Sequence, residues 1–226
     1  MKKHEVRGWI EETGIVAAVR VYSAEEAVFA AESVIEGGIP IVEVALTVPS
    51  ATKVISHLAA KYPHAVVGAG GVRKLETARK CLESGARFLT SDGFHPSVIE
   101  FAAQEDIVAI PGALTPTEVM AAWEARSDFV KVVPCAQIGG EAYINSLHGM
   151  FPHIPLIAAG GVNQQNATHF ILAGAVALGI GRELIHSEAI RQRQPARVGE
   201  LARRFLGFVK AGRDHLAARR VSAGGR

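Results

Sequence analysis

At 226 residues, 49% of them hydrophobic, the chain is long enough to bury one substantial core, and we expect a single domain over 1–226. Lysine plus arginine (24) nearly cancels aspartate plus glutamate (22), leaving a formal charge of +2, and aromatic residues make up only 6%. This balance, without interleaved aromatic and basic residues, argues against nucleic-acid binding, and no run of 18 apolar residues suggests a membrane span.

Cys81 and Cys135 are too few for a disulfide framework and do not sit at a metal-like spacing. They suit a reducing interior. The first 14 residues contain no apolar core of signal-peptide length, so the expected setting is the cytoplasm. Arginines gather between 191 and 226, in a pattern that reads as a solvated helix face.

In chain order, residues 2–12 predict a short amphipathic helix with Val6, Trp9 and Ile10 on one face, stopped by Gly14. An apolar run over 14–20 has buried-strand length. Ser23 with Glu26 three residues later opens a helix ending at Gly37-Gly38. The pattern then repeats: strand 40–46, helix 49–61, strand 65–70, helix 74–84, strand 87–90, helix 96–104 and strand 107–110, closed by Pro111-Gly112. Thr115 with Glu118 caps another helix, and the run Asp128-Phe-Val-Lys131-Val-Val-Pro134-Cys135 follows. A helix over 141–149, a strand over 154–159, a helix from Asn163 to Gly174 and a strand over 176–179 lead into helical sequence, with a loose tail over 222–226. Eight apolar runs alternating with helices predict parallel strands and an α/β fold, the eight-stranded (β/α)8 TIM barrel with a C-terminal helical extension. A doubly wound sheet is the alternative. In a barrel, the chemistry gathers where strands run into the following loops.

Lys131 is the lone charge in its apolar strand. It is either a snorkelling or paired structural lysine, or an amine kept available as a nucleophile toward a carbonyl carbon. Glu43, in Ile41-Val-Glu-Val-Ala-Leu46, is either its structural partner or an acid–base group. Gly160-Gly161 and Gly181-Arg182 end the last two strands. They relieve crowding in tight turns, or let backbone N–H groups approach a phosphate. Together, an inward lysine and an inward glutamate make a Schiff-base lyase coherent.

The motifs Val42-Glu43-Val44, Gly68-Ala69-Gly70, Pro111-Gly112-Ala-Leu-Thr-Pro-Thr-Glu118, Val130-Lys131-Val-Val-Pro134 and Gly160-Gly161-Val-Asn163 resemble the class I 2-keto-3-deoxy-6-phosphogluconate aldolases and their phosphogalactonate and 4-hydroxy-2-oxoglutarate relatives, from about residue 14 to 184. The resemblance implies a pyruvate-forming retro-aldol reaction with Lys131 as Schiff-base nucleophile and Glu43 as general acid and base. It implies no metal and no cofactor, and a homotrimer. Substrate contacts fall on Arg20, Thr47, Gly70, Gly71, Pro111, Gly160, Gly161, Gly181 and Arg182.

Departures stand at four places. Thr47 and Gly71 replace the arginine and threonine that commonly hold the pyruvate carboxylate, so Arg20 is expected to hold it. Ser91-Asp92-Gly93 stands where Ser-Pro-Gly is common, and Arg182 replaces a serine. The run from Glu43 to Pro49 is closer to the phosphogalactonate branch. Among the histidines, only His95 is placed to reach a site. The expected ligand is a small keto acid, phosphorylated at C6. An unphosphorylated substrate, a barrel that binds without turnover, and an epimerase or decarboxylase that makes no use of Lys131 are the alternatives.

Overall fold

The computed structural model of the protein describes residues 1–224. Nine parallel strands form one sheet: β1 Ile15–Val19, β2 Ile41–Ala45, β3 Val66–Gly70, β4 Phe88–Thr90, β5 Val108–Ile110, β6 Gly112–Ala113, β7 Val130–Val132, β8 Leu156–Ala159 and β9 Ala177–Ile180. Their order is β5-β4-β3-β2-β1-β9-β8-β7-β6, so the two edges, β5 and β6, are neighbours in the chain. The residue between them is Pro111, which has no N–H to give to a ladder. The sequence puts the end of the fifth strand at this proline. Instead the chain resumes as β6 beyond it and pairs with β7. Across the seam, Asp128 N donates to Ala109 O at 3.0 Å and Lys131 N donates to Pro111 O at 2.9 Å. Eight staves therefore close into a barrel, as predicted.

The helices wrap the outside: α1 Lys3–Thr13, α2 Ala24–Glu36, α3 Ala51–Lys61, α4 Leu75–Glu83, α5 Pro96–Gln104, α6 Pro116–Glu124, α7 Gly140–Met150, α8 Ala167–Leu172, α9 Ser187–Arg191 and α10 Pro195–Gly224. Both capping signatures hold. Ser23 Oγ accepts from Glu26 N at 3.1 Å, and Thr115 with Glu118 forms a reciprocal capping box. The predicted start at Asn163 is four residues early. Its side chain accepts from the N–H groups of Gln165 and Asn166 at 2.9 and 3.1 Å, which favours a turn over the first turn of a helix. The predicted loose tail is helical as far as Gly224, and Gly225 and Arg226 lie outside the described residues. The long α10 is a wall of the barrel more than an extension from it. It packs on α2 and α8 and buries Val198, Ala202, Phe205 and Val209.

Strand alternation produces two cores. Odd positions of β1, such as Ile15, Ala17 and Val19, face the helices, while Val16 faces the barrel interior with Ile41, Val66, Phe88, Phe129 and Ile157. All six interior residues lie near the start of their strands and fill the lower barrel. The N-terminal helix closes that end. Val6 and Ile10 of α1 join the inner cluster, as their predicted apolar face requires, and Lys3 Nζ pairs with the buried Asp128 at 3.0 Å. Asp128 Oδ2 also accepts from Ala109 N at 2.8 Å, so one carboxylate fastens both the helix and the seam. With the floor filled, the upper layer is left to polar residues.

Candidate active site

The same inward face, read upward along each strand, carries Ala18 and Arg20 from the β1 stave, Glu43 from β2, Thr90 from β4, Lys131 from β7 and Gly179 and Gly181 from the β9 stave. Glu43, Thr90 and Lys131 are buried, with 3%, 2% and 5% exposure. A cleft of about 960 Å³ opens above them, and its walls include Arg20, Glu43, Asp92, Lys131, Gly160 and Arg182.

Lys131 lies in a three-residue strand between two outward-facing valines, so β alternation sends its side chain inward. Its amine does not pair with Glu43. Lys131 Nζ donates to Asp92 Oδ1 at 3.0 Å, and Arg20 Nη2 donates to both oxygens of the same carboxylate at 3.2 Å. Burial pushes the Asp92 carboxyl upward, but the Lys131 ammonium and the Arg20 guanidinium outweigh it and hold the group below the ordinary aspartate range. The buried amine is thus paired, with Asp92 as the partner in place of Glu43, and it still faces the cleft where a nucleophile would be needed.

Glu43 has a different neighbour. Thr90 Oγ1 donates to its Oε2 at 2.8 Å, while Oε1 is buried and, among the described residues, accepts no hydrogen bond; Arg20 Nη2 stands 4.0 Å away. Gly70, on the adjacent strand, makes this placement sterically allowed. A Cβ there would sit 2.1 Å from Glu43 Oε1. Asp92 has an equivalent allowance, since a Cβ on Gly112 would come within 2.4 Å of the Asp92 carbonyl carbon.

Of the positions expected in the site, Arg20, Glu43, Lys131, Gly160, Gly161, Gly181 and Arg182 line the cleft. Thr47 is exposed on the turn after β2, Pro111 is buried in the seam, and Gly71 is a positive-φ turn residue with open space around its Cα. None of these three, nor Gly70 or His95, is among the cleft walls. Cys135 is buried beside the cleft wall, and burial pushes its thiol up to about 12, so it offers no ready thiolate. Among the described residues, no group of three His, Cys, Asp or Glu side chains is placed to hold a metal ion. No described helix is long and apolar enough to cross a membrane.

Sequence reasoning alone misses Thr90 and Asp92 as members of the site. One signal is present: Asp92 breaks the Ser-Pro-Gly pattern, and it stands two residues after Thr90, which is the spacing of one strand face.

Residues 6–201 match the family described as KDPG and KHG aldolase. The 2-dehydro-3-deoxy-6-phosphogalactonate aldolase of Escherichia coli K12 is 29% identical over 208 residues, covering 91% of this chain and 98% of that one. The KDPG aldolase of Legionella pneumophila, solved with pyruvate captured as a covalent carbinolamine, superposes with a TM-score of 0.80 at 26% identity, covering 87% of this chain and 96% of the other. A native KDPGal structure superposes with a TM-score of 0.81 at 27% identity, covering 88% and 96%. Fold, cleft and relatives together define an aldolase, a carbon–carbon lyase. Within that class, the chain belongs to the KDPG and KHG aldolase family.

Proposed function

We propose that this protein cleaves a 2-keto-3-deoxy-6-phospho sugar acid to pyruvate and glyceraldehyde 3-phosphate through a Schiff base on Lys131. The observation that carries this reading is an inward, buried amine at the base of a large cleft, with the Glu43 carboxyl facing the same space. The amine adds to C2 and water is lost, giving an iminium that withdraws electrons from the C3–C4 bond. Glu43 takes the C4 hydroxyl proton as that bond breaks and the aldehyde leaves. It then returns a proton to C3 of the enamine, and water releases pyruvate. Glu43 Oε1 suits this work because no donor among the described residues occupies it.

Arg20 receives the substrate carboxylate, a task that Thr47 and Gly71 are not built to perform. At the outer end of the cleft, Gly160, Gly161 and Gly181 allow close backbone approach to a phosphate, and Arg182 adds a guanidinium. A second reading, an unphosphorylated 4-hydroxy-2-oxoglutarate-type substrate, is favoured by the same Arg182, because a guanidinium pairs with a carboxylate as well as with a phosphate.

The expected assembly is a homotrimer in the cytoplasm. Two free cysteines fit a reducing compartment. A protein cage designed by fusing symmetric oligomeric domains superposes on 94% of this chain with a TM-score of 0.85.

The test is reductive trapping. With pyruvate and borohydride the intact chain should gain the mass of one reduced adduct, and Lys131→Met should gain nothing. An untrapped wild type would overturn the Schiff-base reading. The ratio of kcat/KM for phosphorylated and unphosphorylated substrates, in wild type and Arg182→Ala, decides between the two substrate readings.

A further inference from the structure

Making and unmaking the imine needs proton transfers of its own, distinct from those at carbon, and their carrier follows from the aldolase reading above. Lys131 must shed an ammonium proton before it can attack, and the carbinolamine oxygen must gain one before it can leave as water. A group doing this must lie within hydrogen-bond reach of the nitrogen, directly or through one water, and direct contact serves best. Glu43 has one oxygen engaged by Thr90 and makes no bond to Lys131, whereas Asp92 Oδ1 lies 3.0 Å from the amine.

Asp92 is held by backbone, not left on a swinging arm. Ser91 Oγ donates to Gly93 O at 2.6 Å and Ser91 N donates to Ile110 O at 3.3 Å, while Gly112 leaves the room for the Asp92 peptide to lie against β6. We propose that Asp92 is a second catalytic carboxylate, the proton carrier for imine formation and imine hydrolysis, leaving Glu43 to the carbon chemistry.

The steps balance. The Lys131 ammonium passes one proton to Asp92 Oδ1, and the free amine adds to C2. A second proton moves from nitrogen to the new alkoxide, giving a neutral carbinolamine. Protonated Asp92 then gives its proton to that hydroxyl, which leaves as water while the nitrogen lone pair forms the iminium. Asp92 ends ionised, as it began. Hydrolysis of the pyruvate imine runs the same sequence backward.

Arg20 links this transfer to substrate binding. In the free protein its Nη2 is shared by both Asp92 oxygens. When a keto-acid carboxylate takes that guanidinium, Asp92 loses one of the two cations that suppress its basicity, just as the carbonyl arrives beside Lys131.

The experiment is rapid-quench borohydride trapping with pyruvate, read by intact mass, for wild type, Asp92→Asn, Asp92→Ala and Glu43→Gln. The expected result is imine formation slowed about a hundredfold in both Asp92 variants, the scale of a lost acid–base group. Added formate should restore part of the rate in Asp92→Ala, and Glu43→Gln should trap pyruvate near the wild-type rate while failing to cleave substrate. Removing Asp92 leaves the buried Lys131 ammonium without this partner, so melting is recorded for each variant and trapping is run at a temperature where it stays folded. Trapping at the wild-type rate in Asp92→Asn overturns the proposal. So does a slow Asp92→Ala that formate leaves unchanged, since that marks a residue that only positions the lysine. A wild type that traps nothing removes the aldolase reading and this proposal with it, whereas the other two outcomes remove only the proposal.

Discussion

Thr90 and Asp92 sit two positions apart on the inward face of the β4 stave, and each bonds one of the two central groups: Thr90 to Glu43, Asp92 to Lys131. A short strand thus sets the geometry of two longer side chains. Replacing Thr90 by valine keeps the shape but removes the only hydroxyl donor that Glu43 Oε2 has among the described residues. The loss of that buried hydrogen bond should cost about 1–3 kcal/mol of stability, read by urea denaturation. It should also lower the cleavage rate about tenfold, while pyruvate trapping by Lys131 stays near the wild-type rate. Equal losses in both reactions would mean that Thr90 supports the barrel generally. Lys131 and Glu43 are legible in the sequence because a charge among valines is conspicuous. Thr90 and Asp92 are not, because short polar residues after a three-residue strand have the composition of an ordinary turn. The Glu43–Lys131 pairing, reasonable from polarity alone, fails because Asp92 reaches the amine first.

At the scale of elements, the barrel is readable because parallel β/α units repeat with clear punctuation, and Ser23 and Thr115 cap the helices where the capping pattern puts them. The seam is not readable. A proline inside an apolar run ordinarily ends the strand, and nothing local says that the ladder resumes two residues later against a strand still distant in the chain. The N-terminal helix is legible as amphipathic, but its partner is not. Trp9 of its apolar face borders a hollow shared with Leu206 and Val209 of α10, while Val6 and Ile10 plug the barrel floor. Ile10 is fully buried there, so Ile10→Ala should destabilise the protein by about 2–5 kcal/mol in denaturant titrations. Because α1 lies at the end opposite the cleft, kcat should be unchanged in conditions where the variant stays folded. Arg213 of α10 reinforces the plug by donating to the carbonyls of Glu11, Glu12 and Val176, tying the end of α1 to the last helix. A drop in kcat in Ile10→Ala without loss of fold would show that the floor shapes the site.

At the scale of the whole molecule, the outer helices and inner staves form a vessel rather than a tunnel. With the floor plugged, the cleft is the way in and out among the described residues, so the half held at the base must leave past the half nearer the mouth. In the proposed reaction the pyruvate half stays tethered to Lys131 at the base, while the aldehyde half occupies the outer reach beside Arg182. Traffic through such a vessel has a fixed order: the aldehyde departs first, and pyruvate follows once its tether is cut. Steady-state inhibition should record that order. Pyruvate should compete with substrate for the empty protein, and the aldehyde should inhibit noncompetitively by rejoining the tethered intermediate. Competitive inhibition by both products would mean that the halves leave independently, and that the helix beneath the barrel has no say in the sequence of departures.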